Sequence, residues 1–335
     1  MSHHQIKRGV SLYSYQEEYF LRTMSLEDCI REAAGIGAYG IETIGEQMMP
    51  GFPDLSEDFY KQWHEWMAQY GTTPTAHDLF LDTQLYPGRY LTESECLASI
   101  RRDIDHAAKL GATVIRVIVS TPPEILAASA SYARDHDVKL LVEVHAPFHM
   151  DHPWIQRHLD QIRRVDSEYL GLMPDMGMYV QRIPRVMRDR AVRNGASEFF
   201  ADWVCRQYEQ RPGREALTLP TEVKYMGGGP ADIAFASAAP HMVFTEPRRL
   251  LEVMDYCHHI QAKFYEMTTD DDGNDVEYSI PYADIVDVLI EGGYRGYLSS
   301  EYEGNRHIQD AFEVDSVDQV RRQHRMFTRL LGESA

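Results

Sequence analysis

The chain has 335 residues, of which 33 are Lys or Arg and 52 are Asp or Glu, giving a formal charge of −19 at pH 7. Apolar residues make up 44%, which is enough for a buried core, and the length suits one large α/β domain or two ordinary ones. So acidic a balance excludes a broad nucleic-acid surface and a polybasic membrane surface, because both reward net positive charge.

The opening twenty residues hold no apolar run of the signal-peptide kind, and no segment approaches the length of a membrane span. Cys29, Cys96, Cys205 and Cys257 are scattered, without CxxC or zinc-ribbon spacing. They read as ordinary intracellular thiols, and a cytoplasmic location is the expectation.

In chain order, β-branched and aromatic runs predict strands at 8–13, 39–44, 73–78, 113–119, 139–145, 169–175, 259–266 and 295–301. Helical patterns lie between them. Ser25 and Asp28 form a capping box ahead of Leu26, Ile30, Ala33 and Ala34, and Thr92 and Glu95 form another ahead of Leu97, Ile100, Ile104, Ala107 and Ala108. Tyr282, Ile285, Val288 and Leu289 mark a third helix. Gly37, Gly111 and Gly292 each stand between a helix and the next strand, where a left-handed cap is needed.

Eight such units predict a parallel sheet, closed into a (β/α)8 TIM barrel that spans residues 1–335 as a single domain. A doubly wound open sheet fits less well, because no Gly-rich dinucleotide turn follows the first strand. Strands six and seven are separated by a long insertion, 178–245, on a βα loop. With Phe199, Phe200, Trp203, Tyr225 and Met226 it is too apolar for a linker, and it reads as a lid or a partner contact.

The barrel reading lines up polar residues at the ends of the last four strands: Glu143, Asp175, Gln261 and Glu301. Three carboxylates converging on a barrel mouth repel unless a cation joins them. An all-oxygen shell of this kind suits Mn2+ or Mg2+ better than Zn2+. His145 shares a face with Glu143 by strand period, and is a candidate ligand, general base or packing residue. Lys263 shares a face with Gln261, where it could polarise a substrate oxygen or neutralise carboxylates. His77 and Arg116, near the ends of strands three and four, offer donors for sugar hydroxyls. Glu42 and Tyr13 carry less weight, and His149 and His152 read as structural.

With those four residues on strands five to eight, the chain resembles the xylose-isomerase-like barrels, the sugar isomerase/epimerase superfamily, over nearly its whole length. In that superfamily the four positions hold a divalent ion, and the third, commonly His, is here Gln261. Met178 stands where the keto-sugar epimerases carry a His three residues after the Asp ligand, and their Arg after the third ligand is also missing from residues 261–266. Glu143-Val-His145 and the 259–267 strand are more similar to the larger subunit of the bacterial C-glycoside deglycosidases. That resemblance implies a metal-dependent lyase, Mn2+ or Mg2+ loaded, working in a hetero-oligomer with a small β-rich partner subunit. The reaction it implies is cleavage of the C–C bond of a 3-oxo-C-glycoside, by deprotonation at C2 and β-elimination of the aglycone, with His145 as the base. The alternatives are a sugar isomerase, epimerase or dehydratase working through a metal-stabilised enediolate, and a non-catalytic barrel that serves as a scaffold.

Overall fold

The computed structural model describes residues 5–333, so the first four residues of the stretch read for a targeting signal lie outside it. Eight strands form one parallel sheet: Lys7–Ser11, Gly40–Thr43, Thr73–Leu79, Val114–Val117, Lys139–Val144, Leu170–Pro174, Ile260–Phe264 and Tyr297–Tyr302. The first strand pairs with both the second and the eighth, and the eighth pairs with the seventh. Closure falls between strands six and seven, where two parallel bridges, Leu172 with Cys257 and Asp175 with Gln261, replace a full ladder. Glycine permits the close approach there, because a Cβ on Gly171 would stand 2.5 Å from the carbonyl oxygen of Tyr256. No helix among the described residues is long and apolar enough to cross a membrane.

The helices begin where the sequence signals them. Ser25 and Thr92 each accept from the backbone N–H three residues on, and Asp28 and Glu95 return the bond. Gly37 and Gly111 adopt φ of 73° and 83°, whereas at the third expected cap it is Gly293 (φ 69°) that turns left-handed. Gly292 itself remains right-handed.

Alternation along each strand divides the interior into two regions. Outward-facing side chains pack with the helices into the main core, which includes Ile41, Leu79, Ile115, Val142, Leu172 and Leu298. Inside the barrel, Ala76, Val114, Leu141 and Met173 form a small apolar plug on strands three to six. Polar side chains, among them Ser11, Glu42, Gln261 and Ser299, occupy the rest of the lumen and are fully buried. Between strands six and seven the chain runs through helices Arg185–Arg193, Glu198–Gln210, Leu219–Tyr225 and Pro230–Ala238. Val204, Tyr208, Leu219, Val223 and Ala236 bury the inner faces of these helices, while Phe199, Leu217, Tyr225 and Met226 remain exposed. A short hairpin, Met267–Thr269 with Asp275–Glu277, follows the seventh strand.

Candidate metal centre and active site

The strand ends bring Glu143, Asp175 and Glu301 together, each offering an oxygen within 4.8 Å of the other two. All three are buried. Gln261 joins them, its Nε2 donating to Glu301 Oε1 at 3.1 Å. Its Oε1 is buried without a hydrogen-bond partner. Buried orphan acceptors are costly, and several carboxylates without enough protons among them call for a cation. The donor set is all oxygen, and the four residues fit a hard divalent ion.

The carboxylates are braced differently. Asp175 accepts from the backbone N–H of Gly177 at 2.7 Å and from Lys263 Nζ at 2.6 Å. Lys263 Nζ also lies 3.2 Å from Glu301 Oε2 and 3.9 Å from Glu303 Oε1. Burial alone would pull the ammonium down, but the carboxylates around it, Asp175 first, hold it well above the usual lysine range. Burial and the charges of Asp175 and Glu143 push Glu301 up to about 8, against the pull of Lys263. Glu143 is held below the usual carboxylate range despite burial, chiefly by Arg116, whose NH1 donates to it at 2.8 Å.

His145 follows the last residue of the fifth strand and is half-buried. Its Nδ1 lies 2.6 Å from the carbonyl oxygen of Ala146. A carbonyl only accepts, so Nδ1 carries the proton and the neutral ring keeps its lone pair on Nε2. The ring is close enough to Glu143 and Asp175 that its charge, when protonated, favours both carboxylates in their ionised forms. Phe148 meets it edge-on, with ring centroids 6.4 Å apart.

Arg116 reaches the site beneath the mouth. Its guanidinium bridges Glu143 and Asp78, with NH2 at 2.9 Å from Asp78 Oδ2, and stacks 4.9 Å from the Phe80 ring. It is a brace for Glu143, already committed to two carboxylates. His77 is not brought to the mouth at all. It points outward from the third strand, with Nδ1 3.0 Å from Thr43 Oγ1 and Nε2 3.6 Å from Asp103 on helix Glu93–Leu110. Asp78, one residue on, takes the inward position, so alternation puts His77 in the helix layer and corrects the expectation of a sugar contact there.

Asp78 and Glu303 also reach the lumen or its mouth without having stood out in the sequence, and Tyr13 and Glu42 hold more contacts there than the sequence suggests. Tyr13 donates to Glu303 Oε1 at 3.1 Å, beside Lys263, and Arg306 covers its ring. Glu42, deeper in the lumen, lies 2.9 Å from His259 Nε2. A usable signal was present for Asp78 and Glu303, since both lie two residues from lumen positions, Ala76 and Glu301. Met178, fully buried, shows no polar function.

A family model of the xylose isomerase-like TIM barrel matches residues 30–194. The C-glycoside deglycosidase alpha subunit of Arthrobacter globiformis is 30% identical over 332 residues, covering 93% of this chain and 89% of that protein. The 3'-dehydrocarminate deglycosidase alpha subunit of a Microbacterium species is 28% identical, covering 97% of this chain and 95% of its own length. Among solved structures, a xylose isomerase-like TIM barrel protein from Mycobacterium smegmatis, in complex with magnesium, superposes with a TM-score of 0.55 at 14% identity, covering 99% of this chain and 98% of that one. The chain belongs to the xylose isomerase-like TIM barrel family, in the group of the C-glycoside deglycosidase alpha subunits.

Proposed function

We propose that this chain is the catalytic subunit of a metal-dependent C-glycoside deglycosidase that cleaves 3-oxo-C-glycosides. The observation that carries the reading is the buried cluster of Glu143, Asp175, Gln261 and Glu301 with the free imidazole nitrogen of His145 beside it. The names of the relatives support the substrate class, and their designation as alpha subunits supports a partner subunit, for which a small β-rich protein is our expectation.

A C–C bond between sugar and aglycone is not an acetal, so an ordinary pair of carboxylates does not suffice to break it. A 3-keto group acidifies the neighbouring C2–H. Glu143, Asp175, Gln261 and Glu301 would hold a divalent ion, Mn2+ or Mg2+, which would supply Lewis acidity to bound sugar oxygens. His145 Nε2 takes the C2 proton, and its fixed Nδ1–H···O=C bond keeps the ring oriented for that step. The electron pair moves into the C1–C2 bond as the C1–aglycone bond breaks, leaving an unsaturated anhydro-ketose. In net terms one proton leaves C2 and one arrives at the aglycone carbon. Lys263, gripped by carboxylates and hard to deprotonate, compensates charge and orients sugar oxygens. Phe80 and Phe148 give the site aromatic faces against which a flat aglycone can stack. The insertion at 178–245, with its exposed Phe199 and Tyr225, is the partner-facing or lid element in this reading.

The test supplies the chain, its β-rich partner and Mn2+ with a 3-oxo-C-glycoside and, separately, with a free ketose, and follows aglycone release and ketose isomerisation. Aglycone release is expected. Turnover of the ketose alone would replace the reading with a sugar isomerase or epimerase. In the same assay His145→Ala should lose at least about 100-fold in rate, the low end for a general base, while keeping its metal. Glu143→Ala and Glu301→Ala should lose bound metal and activity together, as read by elemental analysis.

A further inference from the structure

At the opposite end of the barrel lies a second cavity, of about 450 Å3, formed where the strands begin. Lys7, Lys139, Arg295, His258, Thr73 and Thr113 line it, and His259 lies on its lumen side. Every one of these side chains can donate a hydrogen bond, and no carboxylate is among the lining residues. This is unusual in a chain of charge −19, where many arginines elsewhere are paired with acids, as Arg248 is with Glu291 and Arg321 with Glu32.

The cations here are held by weaker partners. Lys7 Nζ sits 5.2 Å from the centre of the Tyr297 ring. Lys139 Nζ donates to the backbone oxygen of Glu168 at 2.7 Å and lies 3.7 Å from its carboxylate. Among the described residues, neither Lys7 nor Arg295 has an ion-pair partner. Glu42 faces the cavity region only from inside the lumen, where it is already bonded to His259. Like charges converging on a concave surface raise the local potential and attract an anion. Lysine and arginine together with hydroxyl donors suit the oxygens of a phosphate group.

We infer that this cavity at the N-terminal end of the barrel binds a small phosphate-bearing anion, separately from the metal centre at the other end. The volume exceeds that of inorganic phosphate and accommodates a phosphate monoester of sugar size.

The experiment is calorimetric titration of the full chain with inorganic phosphate and with glucose 6-phosphate, each at constant ionic strength set by chloride. The comparison protein is the double variant K7A/R295A, changed at two exposed positions away from the core, with thermal melts to show that it folds as the parent does. Saturable binding is expected in the parent and at least tenfold weaker binding in the variant. Tighter binding of the ester than of inorganic phosphate would show that the whole cavity is used, and equal binding would confine the site to the phosphate group. Absence of saturable binding overturns the inference. So does binding that survives unchanged in the folded variant, because it would place the anion elsewhere, the metal centre included. Should the variant melt well below the parent, K139A, at a half-buried position on the other side of the cavity, takes its place under the same criteria.

Discussion

Lys263 Nζ lies among the candidate ligands, 2.6 Å from Asp175 and 3.2 Å from Glu301. An ammonium among carboxylates stabilises the metal-free site and opposes the metal-bound one. Two unit charges about 4 Å apart are worth roughly 4 kcal/mol at an effective dielectric near 20, so even a fraction of that repulsion shifts affinity measurably. Lys263→Met, which keeps the apolar stem, should therefore bind Mn2+ at least about tenfold tighter. Its melting temperature in the presence of a chelator should fall below that of the parent, since Asp175 and Glu301 lose the ammonium that neutralises them. A metal titration together with melts with and without chelator checks both expectations, and unchanged affinity would mean that the lysine moves aside at no cost. Arg116 differs in kind. It engages Asp78 and Glu143 rather than the Asp175–Glu301 pair, so it supports Glu143 whether or not an ion is bound.

At the scale of the element, helix Glu93–Leu110 shows how local chemistry serves the site. Its capping box starts it, Ile100, Ile104 and Ala107 bury its inner face, and Asp103 on the same face pairs with His77. Thr92→Ala removes the cap acceptor and should cost about 1 kcal/mol of stability, read as a lower denaturant midpoint with an unchanged slope. The fifth and sixth strands were legible as short apolar runs such as Leu140-Leu-Val142, while the more polar strands, such as Thr73–Leu79 and Tyr297–Tyr302, were legible by their β-branched and aromatic residues and their place between helical patterns. The four candidate ligands were legible as acceptor-bearing residues near the ends of four strands. Orientation was harder to read. His77 and Asp78 are adjacent and both polar, so pattern alone does not say which one faces the lumen, and the register shift beside Ile41 and Glu42 on the neighbouring strand blurs the alignment further. Arg116 reads from the sequence as a donor for sugar hydroxyls near the end of strand four, and its bracing of Glu143 was not legible because its partners come from strands three and five. The helices between strands six and seven left only a compositional trace, since their burial depends on contacts with one another.

For the molecule as a whole, buried neutral histidines tie stability to pH. His158 and His324 are essentially unexposed. Burial pulls His158 down to about 4. Burial, helped by the charge of Arg8, pulls His324 down to about 3. Unfolded, both would take up protons near pH 6.5. A folded-state pKa depressed in this way gives stability that is present in full above pH 6.5 and is lost progressively as pH falls toward the folded-state values. Glu277 and Glu301, pushed up to about 7 and about 8 chiefly by burial, work in the opposite direction over part of the same window, so the slope for the parent chain is a balance of opposing groups. His324 separates them, because its ring nitrogens meet Ser300 Oγ at 2.9 Å and Arg8 NH1 at 3.4 Å and neither of these is a candidate metal ligand. His324→Gln cannot take up the proton, so its melting temperature should fall less than that of the parent between pH 7.5 and pH 5. It should start lower at pH 7.5, where the neutral ring contributes its packing against Phe327. Parallel melting curves for the two proteins across that range would remove His324 from the acid sensitivity and leave the loss of stability to other groups, His158 first among them.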